Sequence, residues 1–207
     1  MTTTTATPTG LPILSAGAHS PDEGKACVME YVSLLAGEKW SDTPSCTYYP
    51  LARAAQKVND SLSDADRHLL VPLIGRLFGT TAPVDDAVFT LRVARTVEHL
   101  SPAAKARNDV KEKYLGGAAT TGEALPTTAA AYATAYATTY AAAYAATAYA
   151  ATAYASGMDT VAWLASVIDI YDDLSGRTEH REITDADLRF LIEVVAGRVV
   201  TRRVQRT

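Results

Sequence analysis

Apolar residues recur every three or four positions through most of this chain, which is the spacing of one face of an α-helix. The pattern predicts helices over about 22–36, 50–59, 85–100 and 101–115, then over 158–174 and from 185 toward 200. Alternation of apolar and polar residues, the pattern of a half-buried strand, is nearly absent outside two short stretches, 11–14 and 131–138. The sequence therefore predicts an all-α fold, an irregular helical domain with a long Ala/Thr/Tyr-rich helix.

Capping residues mark several helix boundaries. Ser63 and Thr184 each stand just before two acids of a first turn, where an N-cap and negative charge stabilise a helix. The apolar segment that Ser63 opens runs to Phe78, and Pro72 inside it is expected to kink or split it. Gly37 is expected to end the first helix.

Three stripes predict which helix faces are buried. In the first half the cleanest stripe consists of Val84, Val88, Leu91, Ala94, Val97 and Leu100. Near the C-terminus a wide stripe predicts a centrally buried helix and contains Val161, Leu164, Val167, Ile168, Tyr171 and Leu174. The last stripe consists of Leu188, Leu191, Ile192, Val195 and Val199.

The segment between Pro126 and Ser156 contains only alanine, threonine and tyrosine: 16, 7 and 6 residues respectively. Residues 131–138 alternate as a strand would, but alanine is the best helix former and its number favours a helix. At about 100° per residue the tyrosines are expected to drift around the helix without forming one stripe.

A short unit, Ala-Thr-Ala-Tyr-Ala, is repeated in this tract at 133–137, 146–150 and 151–155. Such copying favours expansion by sequence slippage over selection of a tyrosine surface, and both interpretations stay open.

The tract divides the chain. We expect a flexible arm (1–20), a helical domain (21–115), a linker (116–126), the tract helix (127–155), C-terminal helices on the same core (158–200) and a basic tail (201–207).

Charge and composition narrow the possible partners. The net charge of −4 argues against nucleic acid as a main partner, because phosphate binding needs a basic face. The one exception is weak association through the arginine-rich C-terminus, with Arg198, Arg202, Arg203 and Arg206 as candidates. The tract lacks Leu, Ile, Val and Phe, so no membrane partner is expected. Two cysteines and a start without secretory features predict a cytoplasmic protein.

Candidate chemistry is sparse. Cys27 and Glu30 lie one helical turn apart, and Cys46 could approach them, which gives a weak metal or enzyme site. Two reduced, buried cysteines explain the same residues more simply. No phosphate-binding loop, dinucleotide fingerprint or nucleophile motif is present, and the four histidines are dispersed, so we assign no catalytic residue and no cofactor.

Aromatic residues supply the remaining candidates. The loop before Pro50 carries Trp40, Tyr48 and Tyr49, and loop aromatics are enriched at protein interfaces. For Trp40, a buried loop anchor is an equal alternative. The tract tyrosines come second, with Tyr132, Tyr136 and Tyr140 as candidates. The sequence thus favours a non-enzymatic binding or scaffolding protein that acts through a protein partner or self-association.

A resemblance supports the helical assignment of the first half. The words that carry it are ACVMEYVSLLAGE at 26–38, WSD at 40–42, Pro44, CT at 46–47, PLA at 50–52 and VND at 58–60. Over about 21–80 the chain resembles small proteins of actinobacteria and their phages that have no established activity. The resemblance implies a shared helical domain and origin. Such proteins often have histidine where this chain has Tyr48, which removes one partner from any Cys/His site.

Overall fold

The computed structural model of the protein describes residues 13–98 and 129–197, with side chains of the second range from 137 onward. These ranges contain seven α-helices, one 3-10 helix and no sheet, which confirms the all-α prediction. The α-helices are α1 (Val28–Leu35), α2 (Tyr49–Ser61), α3 (Ile74–Leu77), α4 (Asp86–Val97), α5 (Ala129–Ala155), α6 (Thr160–Ser175) and α7 (Asp185–Val195). The 3-10 helix is Arg67–Leu73. The helix predicted over 101–115, the linker and the basic tail lie outside the described residues.

Helix α1 begins six residues later than the predicted start at about 22. The preceding residues are used differently: Leu14 and Ala26 form an isolated bridge, and the Ser15 N–H donates to the Ala26 carbonyl at 2.8 Å. This bridge is also what remains, in the described residues, of the strand predicted at 11–14. Cys27, the N-cap, also has an extended backbone, so α1 begins only after it.

The segment after Ser63 is split as Pro72 predicts. A 3-10 helix containing Pro72 comes first, and α3 follows directly. Arg67 at the start is buried, and its guanidinium donates to the carbonyls of Asn59 at 2.9 Å and Leu62 at 2.8 Å. These bonds satisfy carbonyls at the end of α2 and fix the turn between the two elements.

The buried face of helix α4 coincides with the predicted stripe only in part. Its N-cap is Asp85, whose carboxylate accepts the N–H groups of Ala87 and Val88. Val88 and Leu91 are only half-buried. The buried residues are Phe89, Thr90, Val93, Ala94 and Val97. Ala94 and Val97 confirm part of the stripe, and the buried face is shifted toward Phe89 and Val93, which the stripe did not include.

Helix α6 is central, as predicted, and packs on α2, α4, α5 and the 3-10 helix. Its buried residues include Leu164, Val167, Ile168 and Tyr171, while Val161 and Leu174 are partly buried. Polar groups at its two ends find partners: the Trp163 indole N–H donates to Thr96 Oγ1 and the Tyr171 hydroxyl to the Ala82 carbonyl. Helix α7 follows a capping box of Thr184 and Asp187 and packs on α1.

Helix α5, the Ala/Thr/Tyr tract, lies across the domain against α2 and α4. Its buried face is a stripe of small residues with one tyrosine: Ala142, Ala143, Ala145, Ala146, Tyr149, Ala150 and Ala153. Small side chains allow helices to approach closely, and α2 also buries three alanines. The helix ends in a Schellman motif at Gly157 (φ +75°), where the Met158 N–H donates to the Ala153 carbonyl.

Candidate functional site

The region around Cys27 and Glu30 is a buried helix cap. Glu30 is 1% exposed, and its carboxylate accepts the backbone N–H groups of His19 and Cys27, both at 2.6 Å. His19 Nδ1 lies 3.1 Å from the second carboxylate oxygen. Glu30 thus joins the N-terminal segment to the start of α1. Both of its carboxylate oxygens take part in these structural contacts.

The cysteine thiols are not activated. Burial raises the pKa of Cys27 to about 12, and the adjacent Glu30 carboxylate adds to the effect. Burial also raises the pKa of Cys46. Because the thiolate is the nucleophile and the metal ligand, neither side chain is prepared for that chemistry near neutral pH. In the two described ranges no three His, Cys, Asp or Glu side chains form a group that could hold a metal ion, the trio Cys27, Glu30 and Cys46 included.

Trp40 follows the second of its two predicted alternatives and anchors the loop. Its indole N–H donates to the His19 carbonyl at 2.6 Å, and the side chain packs, partly buried, against the core. The loop is further held by the Ser41 N–H, which donates to Ser33 Oγ at the end of α1.

Tyr48 also packs, partly buried, against the core, whereas it was predicted as an exposed contact of the loop. Its ring meets Phe89 edge-on at 5.1 Å between centroids and Tyr171 at 5.2 Å. Its hydroxyl donates to Asp86 Oδ1. Burial, reinforced by this carboxylate, raises the pKa of Tyr48 far above its usual range. Tyr48 is the N-cap of α2, and the turn into the helix directs its ring inward.

Asp86 connects the tract to the domain, a role that the sequence analysis missed. Its second oxygen, Oδ2, accepts the hydroxyls of Thr139 at 2.6 Å and Thr138 at 3.3 Å. Next to this link Tyr49 and Tyr140 pack their rings at 5.2 Å between centroids. In sequence Asp86 reads as an ordinary first-turn acid of α4, and only its long-range partners distinguish it.

The exposed face of α5 carries three of the five large hydrophobic side chains that are exposed in the described residues. Tyr144 is 82% exposed, Tyr154 56% and Tyr140 48%, whereas Tyr149 is 2% exposed. At about 100° per residue the three exposed tyrosines fall within an arc of about 80°, with Tyr149 opposite. The prediction that the tyrosines share no face is therefore wrong for these three. The ten residues from Tyr144 to Tyr154 make nearly three turns and return the chain to the same side.

We define the exposed tyrosine face as Tyr140, Tyr144 and Tyr154 with the half-exposed Thr147 and Ala151 between them.

Comparison of the chain with family models, curated proteins and solved structures finds nothing similar. The resemblance of residues 21–80 to actinobacterial and phage proteins stays a prediction.

The remaining candidates lie outside what the structure describes. Tyr132 and Tyr136 belong to α5, but their side chains precede the described part of the tract. The arginines predicted to contact nucleic acid also lie outside the described residues: Arg198, Arg202, Arg203 and Arg206. Within the described ranges no helix combines the length and apolar character of a membrane span.

A charged cluster around Asp172 holds the loop between α6 and α7. The nearly buried Asp172 carboxylate lies 3.1 Å from the Arg177 guanidinium, 3.3 Å from that of Arg76 and 2.8 Å from His180 Nε2. The loop passes so close to α3 that a Cβ on Gly75 would lie 2.0 Å from the Arg181 carbonyl oxygen. With its charges paired internally, the cluster has a structural role.

Proposed function

We propose that this protein is a non-enzymatic binding or scaffolding protein that acts through protein contacts, with the exposed tyrosine face of α5 as its contact surface. The observation that carries the proposal is the exposure of Tyr144 and Tyr154 on one side of a long helix. Tyrosine combines a large apolar ring with a hydroxyl, which makes it a frequent interface residue.

The chemistry of α5 suits association with another protein. The helix contains no charged residue from one end to the other, so covering it requires no desolvation of a charge. The tyrosine hydroxyls can form hydrogen bonds at the edge of an interface while the rings are buried. The alanines between them leave shallow gaps that can accept side chains of a partner.

The rest of the domain holds this face in place. Asp86 binds Thr138 and Thr139, and the buried Tyr149 and the alanine stripe fix the inner side of the helix. A face held in this way loses little conformational entropy on binding. The two cysteines, both free, support a reducing, cytoplasmic setting as part of the proposal.

Site-specific photocrosslinking tests the proposal. Tyr144 is replaced by p-benzoyl-phenylalanine, and the protein is irradiated in an extract of the source organism. The matched control carries the same group in place of Leu69, which is 47% exposed on the 3-10 helix. We expect discrete protein adducts from position 144 only. Excess wild-type protein should compete for them, whereas a variant with Tyr144→Glu and Tyr154→Glu should not. Adducts that form equally from both positions, or that the variant also suppresses, would refute the contact surface.

A further inference from the structure

The exposed tyrosine face has a large-and-small pattern that fits its own copy when the helix direction is reversed. Resting on the proposed function, we infer that the partner is a second copy of this chain, with its α5 bound antiparallel about a two-fold axis beside Thr147. The proposed function requires a protein partner of any kind, whereas this inference specifies which protein it is and how it binds.

The spacing of the face carries the inference. When the axis passes between Thr147 and Ala148, two of the exposed tyrosines face an alanine of the other copy. The two pairs are Tyr144 with Ala151 and Tyr140 with Ala155, and Tyr154 lies at the flank of the contact. Each of the two central rings therefore meets a small residue, as a knob meets a hole. In a parallel pair in register each tyrosine would instead meet its own copy, and the rings would hold the helices apart.

Charge and area agree with self-association. Two copies of a helix without charges meet no like-charge repulsion, whereas a face with charges of one sign would repel its own copy. At about 200 Å² per tyrosine, the exposed fractions give roughly 370 Å² per copy, or near 750 Å² for two. With the alanines and threonines between the rings the total approaches about 1,000 Å², the low end of specific interfaces. We therefore expect a reversible dimer with a dissociation constant in the micromolar range or weaker.

A charge-swap experiment on the purified full chain tests both the partner and the direction. Thr147 of one copy lies next to Thr147 of the other, so Thr147→Glu alone and Thr147→Lys alone should each weaken dimerisation by about tenfold or more. An equimolar mixture of the two variants should recover the dimer in sedimentation velocity. Both substitutions use good helix formers at a half-exposed position, so α5 is retained. Ala148→Glu and Ala148→Lys provide a second pair beside the axis should the first pair unfold.

Position 141 provides the matched control for direction. In the antiparallel pair Ala141 lies about 20 Å from its own copy along the helix, at 1.5 Å per residue. Mixing Ala141→Glu with Ala141→Lys should therefore give no more dimer than either variant gives alone. A gain in dimer on mixing these two variants would mean a parallel pair and would overturn the inference.

Two further outcomes separate this inference from the proposed function. A wild-type protein that stays monomeric at all concentrations, together with adducts from position 144 to a different protein, overturns self-association and leaves the contact surface intact. A dimer that is unaffected by charges at positions 147 and 148 uses another surface, which also overturns the inference.

Discussion

Replacing Tyr149 by alanine tests whether the tract is part of the core or an insert that the domain merely tolerates. Tyr149 and Tyr144 provide a matched pair, because they are the same residue type in the same helix, five positions apart. One is 2% exposed and the other 82% exposed. If α5 is docked as described, Tyr149→Ala removes a buried ring from the core, while Tyr144→Ala removes a ring from solvent.

The expected difference is large. Truncation of a fully buried aromatic side chain costs about 3 to 5 kcal/mol, including the cavity that remains. Alanine has the higher helix propensity and returns about 0.5 kcal/mol at either position, so this contribution cancels between the two variants. Tyr144→Ala should therefore be neutral or slightly stabilising, within about 0.5 kcal/mol of wild type.

Urea denaturation followed by circular dichroism measures the difference, at a protein concentration low enough that self-association does not add to stability. We expect the midpoint of unfolding to fall sharply for Tyr149→Ala and to stay nearly constant for Tyr144→Ala. The m-value should stay similar, since the surface exposed on unfolding changes little. Equal effects of the two substitutions would refute the docking of α5 against α2 and α4.

Three further predictions concern the domain. Asp172→Asn should lower the free energy of unfolding by roughly 2 to 3 kcal/mol, because the nearly buried carboxylate pairs with two arginines. The control Asp173→Asn removes an exposed ion pair and should cost less than about 1 kcal/mol in the same denaturation assay. Asp86→Asn should destabilise the protein by roughly 1 to 3 kcal/mol through Tyr48 and Thr139, and combining it with Thr139→Ala should be less than additive. A native pKa of about 12 for Cys27 means that its contribution to stability is full below the ordinary value of 9.0 and is lost as pH rises toward 12. When the pH is raised from 9 to 10, Cys27→Ala should therefore lose less stability than the wild type. In a separate test, an aromatic disulfide reagent should label Cys46 before Cys27, and faster labelling of Cys27 would contradict its burial.

Local signals in the sequence predicted much of the fold. Pro72 correctly indicated a split segment, and Thr184 with Asp187 correctly placed the start of α7, because caps and proline act over one turn. The start of α1 was wrong because residues before Cys27 pair with Leu14, and such a contact has no local signature. The same holds for the shift of the buried face of α4 toward Phe89, whose ring packs on Tyr48 at the start of another helix.

The candidate site was harder to predict, since exposure depends on what covers a residue. Trp40 and Tyr48 belong to a loop with the composition of a contact surface. However, the His19 carbonyl and the Asp86 carboxylate bind their polar atoms, and both side chains pack against the core. The face shared by Tyr144 and Tyr154 could have been found from the sequence. Ten residues make close to three helical turns, which places Tyr144 and Tyr154 on the same side of the helix. Tyr149, midway between them in sequence, lies on the opposite side and concealed this relation.

The Asp86 contacts to Thr138 and Thr139, and the packing of Met158 against the core just after the Schellman motif at Gly157, restrict how the tract can evolve. Both ends of the helical stretch between them are held by the domain, so inserting residues rotates one end against the other. One extra Ala-Thr-Ala-Tyr-Ala unit turns the helix by about 140° and brings tyrosines to the side where alanines now pack. An insertion of seven residues adds almost two full turns, only about 20° short, so each side chain stays on nearly the same side of the helix. A repeat that copying can lengthen freely in the gene is thus held by the fold to a few permitted lengths, and natural length variants should differ by seven or eleven residues, not by five.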